Sequence, residues 1–217
     1  MAMSDQFSEH ERAAFYRVIE SRHDIHAFRP DPIPEEVLLR VLGAAHHAPS
    51  VGLMQPWNFI LIHDPATKAR VHEVFLRENE AAASNYVGAR AELYRTLELD
   101  GIQGAPVNLC VTCDRTRGGP QVLGRNTIVE TDLFSTCCAI ENLWLSARVE
   151  GIGVGWVSIL DNTELRAILG VPDHVVPVAY LCMGYAQRLL DEPELQRRGW
   201  ARRVPLSRVL YRERWGG

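Results

Sequence analysis

No stretch of this sequence approaches the roughly 18 consecutive apolar residues that a membrane-spanning helix requires. The opening residues have neither the basic start nor the apolar run of a secretory leader. Charge of one sign is equally scarce: 23 lysines and arginines face 27 aspartates and glutamates, a net charge of −4. That balance gives no broad attraction to nucleic acid or to an anionic membrane. Cysteines number only five, an odd count, and a chain of this length buries about 70% of its unfolded surface without disulfide staples. A cytoplasmic protein with free thiols is the expectation. Repeats, low-complexity tracts and long linkers are missing, as are the HExxH, GxSxG and Walker patterns. What remains is ordinary globular composition, 217 residues with 47% hydrophobic and 23% charged, which predicts a single domain over 1–217.

Apolar residues at 14, 15, 18 and 19 predict a helix over 7–20. A second helix, over 34–48, opens on proline and two glutamates, as the helix dipole favours. Residues 57–62 read as a strand and 66–99 as helix, with a soft middle of small and polar residues at 81–88 and little to anchor it. Further expectations are a strand at 107–113, a glycine-rich loop at 115–126, a long apolar helix over 128–150, a strand at 153–159, a short helix at 163–169 and a strand at 175–184. Helices alternating with strands around a small sheet imply an α/β or α+β domain.

Several clusters carry candidate chemistry. Arg22-His23-Asp24-Ile25-His26 packs four ionisable groups into five residues just past a helix end. Such groups either converge on an anion, through charge-assisted hydrogen bonds, or form a solvated loop. Asp24 would repel a phosphate and must be aimed elsewhere. Residues 48–57 contain Ser50 and Gly52, which supply unobstructed backbone donors, and Gln55, whose amide can read a flat ring; a plain helix-to-strand connection is the other reading. Gly151, Gly153 and Gly155 do not make a dinucleotide fingerprint, because they follow a helix and enter a strand. Ser158 ends that strand, either facing a site or buried against backbone. Cys110 and Cys113 have metal-like spacing, but residues i and i+3 of a strand face opposite ways; these and the Cys137-Cys138 pair read as core thiols.

Together these pieces resemble the FMN-dependent nitroreductase superfamily over nearly the whole chain. Its Arg-x-Ser-x-Arg-x-Phe motif is matched at 22–28, its Pro-Ser-x-x-Asn-x-Gln-Pro-Trp motif at 49–57, its glycine-rich strand at 151–156 and its Arg-x-Pro-Leu at 203–206. The resemblance implies a nitroreductase-like α+β fold with a small mixed sheet flanked by helices, an intertwined homodimer, and flavin at the dimer interface. Three departures, Asp24 for the motif serine, His26 for its second arginine and Leu53 for its asparagine, make the chain similar to the BluB-type 5,6-dimethylbenzimidazole synthases. That resemblance implies reduced FMN as a substrate, broken down with O2 as co-substrate to 5,6-dimethylbenzimidazole, the lower ligand of vitamin B12, and erythrose 4-phosphate. No metal is implied. A separate NAD(P)H-dependent flavin reductase would supply the reduced flavin.

The implied FMN-binding set is Arg22, His23, Asp24, Ile25, His26, Ser50, Gly52, Leu53, Gln55, Val157, Ser158 and Arg203. Within it, Arg22, His26 and Arg203 would hold the phosphate, and Ser50, Gly52 and Leu53 would lie close to the ring, from the partner chain. A dry pocket shields the reaction of reduced flavin with O2. Fragmentation needs a proton removed from the first ribityl carbon, hence a positioned base. Asp24 and Ser158 are the catalytic candidates, Asp24 as base or as organiser of O2 and water, Ser158 as hydrogen-bonding partner near N5. Residues 84–100 would form a lid. The competing readings are a conventional NAD(P)H nitroreductase or cobalt(II) corrinoid (cob(II)yrinic acid a,c-diamide) reductase, and a non-catalytic flavin carrier.

Overall fold

Alternating side chains on two central strands divide the interior into two cores, one on each face of a four-stranded sheet. The computed structural model describes residues 6–216; residues 1–5, part of the segment expected to lack a leader, lie outside the described residues. In chain order the elements are α1 (Glu9–Ser21), α2 (Glu35–His46), β1 (Trp57–Ile62), α3 (Pro65–Ala83), α4 (Ala89–Arg95), β2 (Val107–Asp114), α5 (Thr131–Val149), β3 (Gly153–Val157), α6 (Asn162–Leu169), β4 (Val175–Gly184) and α7 (Glu194–Arg197). The strand order is β1-β2-β4-β3, and every pairing is antiparallel. The sheet is therefore antiparallel where a mixed one was expected; the parallel element is a single bridge between Asp24 and Val154.

On β2 and β4, Leu109, Val111, Leu181 and Met183 face α2 and α5 in one core. The residues between them, Cys110, Tyr180 and Cys182, face α3, α6 and the 25–28 segment in the other. Both faces are covered, so these central strands read as continuous apolar runs. Burial pushes the Cys110 and Cys182 thiols up to about 12, which keeps them protonated and inert. Cys137 and Cys138, expected in the core, are exposed on α5, because none of the described residues covers that face of the helix.

The helix expected over 66–99 is two helices. α3 ends at Ala83, and Gly88 adopts φ 56° before α4 starts. The expected strand at 153–159 stops at Val157, and Asp161 caps α6 by accepting from the Glu164 amide at 2.8 Å. α1 forms with a reciprocal cap between Ser8 and Glu11, yet none of its residues is buried; its apolar stripe of Phe15, Tyr16 and Ile19 is exposed. Among the described residues no helix is long and apolar enough to cross a membrane.

Candidate functional site

β3 lies at one edge of the sheet, and its outer side is occupied by the residues following α1. The Ile25 amide donates to the Val154 carbonyl at 3.1 Å, and the Trp156 amide donates to Oδ1 of Asp24, also at 3.1 Å. Glycine is what permits this approach: a Cβ on Gly155 would lie 2.1 Å from the Ile25 carbonyl oxygen. The glycine-rich stretch is thus a bed for the ionisable segment rather than a phosphate loop.

Running extended along that edge, the segment alternates its side chains. His23 and Ile25 are buried, Asp24 is exposed, and His26 is half-buried. Arg22 lays its guanidinium 4.6 Å above the Trp144 ring. Burial lowers the pKa of His23, and the charges of Arg22, Arg203 and Arg148 lower it further, against the Asp191 backbone hydrogen bond. Burial also lowers His26, opposed by the carboxylates of Asp24, Asp100, Glu98 and Glu194. The two histidines therefore face opposite electrostatic surroundings. Arg22 and Arg203, expected together on a phosphate, both act on His23, whereas His26 sits among carboxylates. The buried Nδ1 atoms of both histidines have no hydrogen-bond partner among the described residues.

Beside this segment opens a cavity of about 450 Å³. Trp144, Trp156, Leu97, Leu99, Ile159 and Leu195 give it apolar walls, and its polar groups are Asp24, His26 and Ser158 together with Glu98 and Glu194. Ser158 is exposed, so the reading in which it is buried against backbone does not hold. Val157 beside it is buried. The 97–99 wall follows α4, whose surroundings are firmer than the composition of 81–88 predicts. Tyr86 stacks on Tyr94 with centroids 4.9 Å apart, and Trp200 meets them at 5.1 and 5.9 Å. Arg90 lies 3.4 Å over the Trp200 ring and donates to its carbonyl at 2.9 Å.

Ser50, Gly52, Leu53 and Gln55 are elsewhere, on a turn leading into β1 at the opposite edge of the sheet. Three strand spacings, about 14 Å, separate that edge from β3, so one chain does not bring the two groups together. Gly52, Leu53 and Gln55 have φ of 58°, 51° and 46°; for the two non-glycines this left-handed backbone costs about 1–2 kcal/mol each. Ser50 Oγ accepts from the Gln55 amide at 3.1 Å, and the Val51 amide donates to Ser135 Oγ at 3.2 Å. Leu53 is 77% exposed. Arg117 also holds this turn, and the sequence reading passed over it; the available signal was three arginines, at 115, 117 and 125, among the glycines of the 115–126 loop. Trp144 of α5 belongs to the core and is at the same time a cavity wall.

With this geometry in hand, comparison with known proteins shows that a model of the nitroreductase family matches residues 19–185. The chain is 43% identical over 184 residues to the 5,6-dimethylbenzimidazole synthase of Rhodospirillum rubrum, covering 85% of this chain and 87% of that protein. It is 40% identical over 199 residues to the protein of that name from Rhodobacter capsulatus, covering 92% and 96%. Among solved structures, oxidized iodotyrosine deiodinase bound to FMN and 3-iodo-L-tyrosine superposes with a TM-score of 0.68 at 22% identity, covering 81% of this chain and 91% of that one.

Proposed function

The chain belongs to the nitroreductase family, and from that premise we propose that it catalyses the O2-dependent fragmentation of reduced FMN to 5,6-dimethylbenzimidazole and erythrose 4-phosphate. Two relatives about 40% identical over most of their length carry that synthase name. The observation that carries the reading is the placement of Asp24 and Ser158 on one apolar-walled cavity, with the Asp24 carboxylate oriented by the Trp156 amide.

The residues present fit a flavin. The cavity volume of about 450 Å³ lies in the range of small-molecule sites, roughly 300–1,000 Å³. Its two tryptophans offer flat apolar walls, and Asp24, His26, Ser158, Glu98 and Glu194 are the polar groups that could meet the ribityl hydroxyls and ring edge. Arg22 and Arg203, with Arg148 nearby, are the cations for the phosphate. Reduced FMN, when bound, supplies the electrons and the carbon skeleton for reaction with O2. Asp24 has Oδ1 engaged by Trp156, which leaves Oδ2 to accept the proton of the first ribityl carbon. Ser158, exposed on the cavity, would hydrogen-bond the ring near N5. Ile25 and Val157, both buried, stiffen the backbone behind these two groups. Leu97, Glu98 and Leu99 of the 84–100 segment line the cavity, and in this reading the segment closes over the bound flavin to keep water out.

A homodimer completes the site in this reading. The turn at 50–55 is remote from the cavity of its own chain and reaches that of a second copy. Support comes from the uncovered apolar side chains Phe15, Tyr16 and Phe134, together with Leu206 and Trp215 of a C-terminal segment exposed throughout 201–216; such patches mark interfaces. Reduced flavin arrives from a separate reductase.

The test mixes the protein with FMN, NADH and an unrelated flavin reductase, in air and under argon, and separates the products by chromatography. A benzimidazole peak that needs O2 and matches the flavin lost is the expected outcome. Intact flavin with steady NADH oxidation by the protein alone would instead make it a conventional nitroreductase.

A further inference from the structure

We infer that Arg117 is a positioning residue for the flavin: it locks the left-handed backbone of the 50–55 turn and so fixes Leu53 and Gln55 for contact with the ring. The inference rests on the reading of that turn as a ring contact.

One guanidinium spans the junction between the turn and β1. Its Nη1 donates to the carbonyls of Gln55 and Trp57, both at 2.9 Å, and its Nη2 donates to the side-chain oxygen of Asn58. The first of these carbonyls belongs to Gln55, a non-glycine at φ 46°. Without an external hold, a turn containing two such residues relaxes toward commoner backbone angles.

Arg117 is itself mounted on a braced loop. The buried Arg125 donates to the carbonyls of Arg115 at 3.0 Å and Arg117 at 3.3 Å, and also to that of Gly119. Arg115 in turn pairs with the buried Asp132 of α5 at 3.1 Å. The other side of the turn is closed off, since a Cβ on Gly52 would meet a Val122 methyl at 2.6 Å. The result is an apolar side chain, Leu53, held 77% exposed on a clamped and strained support. Strain held so firmly around a side chain that packs into neither core serves a contact outside this chain. A lysine at 117 has a single charge centre and cannot bridge these acceptors with a planar fork.

The experiment titrates the purified protein with oxidised FMN by fluorescence quenching, in the wild type and in Arg117→Ala, Gln55→Gly and the double variant. Releasing the turn in Arg117→Ala weakens FMN binding about tenfold, the equivalent of one left-handed residue's strain. In the Gln55→Gly background the same Arg117→Ala change costs less than about threefold, because glycine adopts positive φ unaided. Steady-state turnover shows KM for reduced FMN rising more than kcat falls. Equal cost in both backgrounds, or no cost in either, overturns the inference. If Arg117→Ala fails to fold by circular dichroism, Arg117→Lys makes the same comparison, with the same outcomes deciding. A wild type that binds FMN but releases no benzimidazole defeats the proposed activity, and the affinities still decide the role of Arg117. Unchanged affinities in an enzyme that does make benzimidazole defeat the positioning role alone.

Discussion

The amide of Trp156 donates to Oδ1 of Asp24 at 3.1 Å, so the acid is held by the backbone of a sheet strand rather than by another side chain. A strand amide does not titrate or change rotamer, and it fixes which carboxylate oxygen remains free.

Asparagine can accept the same amide bond through its own oxygen, so Asp24→Asn keeps the geometry and removes the base. FMN affinity is expected to stay close to that of the wild type while benzimidazole formation falls by about 10²-fold or more, the usual scale of a lost general base. Product formation at the wild-type rate would end the base assignment.

Gly155→Ala places a Cβ 2.1 Å from the Ile25 carbonyl, a backbone atom that cannot swing away. Overpacking costs about 1–3 kcal/mol and lifts residues 24–26 from β3, so both Tm and FMN affinity drop. Gly43→Ala is the control. Nothing lies within 4 Å of its new Cβ, and replacing a helical glycine raises stability by about 0.5–1 kcal/mol. A Gly155→Ala protein with unchanged FMN affinity would contradict the role given to this approach.

Trp200→Ala removes the ring over which Arg90 stacks at 3.4 Å and against which Tyr86 and Tyr94 pack. The 97–99 wall loses its anchor. FMN still binds, but a larger share of reduced flavin is oxidised by O2 without yielding benzimidazole. The ratio of benzimidazole formed to flavin oxidised is the measurement, and an unchanged ratio would refute the lid.

His23 and His26 both have pKa values lowered by burial. The unfolded chain therefore takes up protons more readily than the folded one as pH falls below about 6.5. Stability is complete above that pH and declines on acidification through the window between the unfolded and folded values. Tm should fall between pH 7 and pH 5, before most carboxylates titrate, and His23→Gln should flatten that slope. An identical slope in the variant would mean that His23 is not the group responsible.

Much of the fold was legible in the residues. The strands expected at 57–62 and 175–184 coincide with β1 and β4, because proline, aspartate and glycine punctuate both ends of those apolar runs. The break after Ala83 was visible only as softness, since a single left-handed Gly88 decides where the second helix starts. The exposure of Cys137 and Cys138 was not visible at all: an apolar helix reads the same whether its outer face meets its own core or another molecule.

The sequence by itself determined which chemistry is present. Short runs such as 22–28 and 49–57 carry the ionisable and ring-reading groups, and their order is a local, covalent property. Only the tertiary structure decided how those groups are divided. It set His23 in the field of Arg203 and Arg148 and His26 in that of Asp100, Glu98 and Glu194, put Asp24 and Ser158 on one cavity, and set the 50–55 turn at the far edge of the sheet. Those assignments depend on which backbones approach closely, and such approaches are set by strand pairing between residues more than a hundred positions apart, as between Asp24 and Val154.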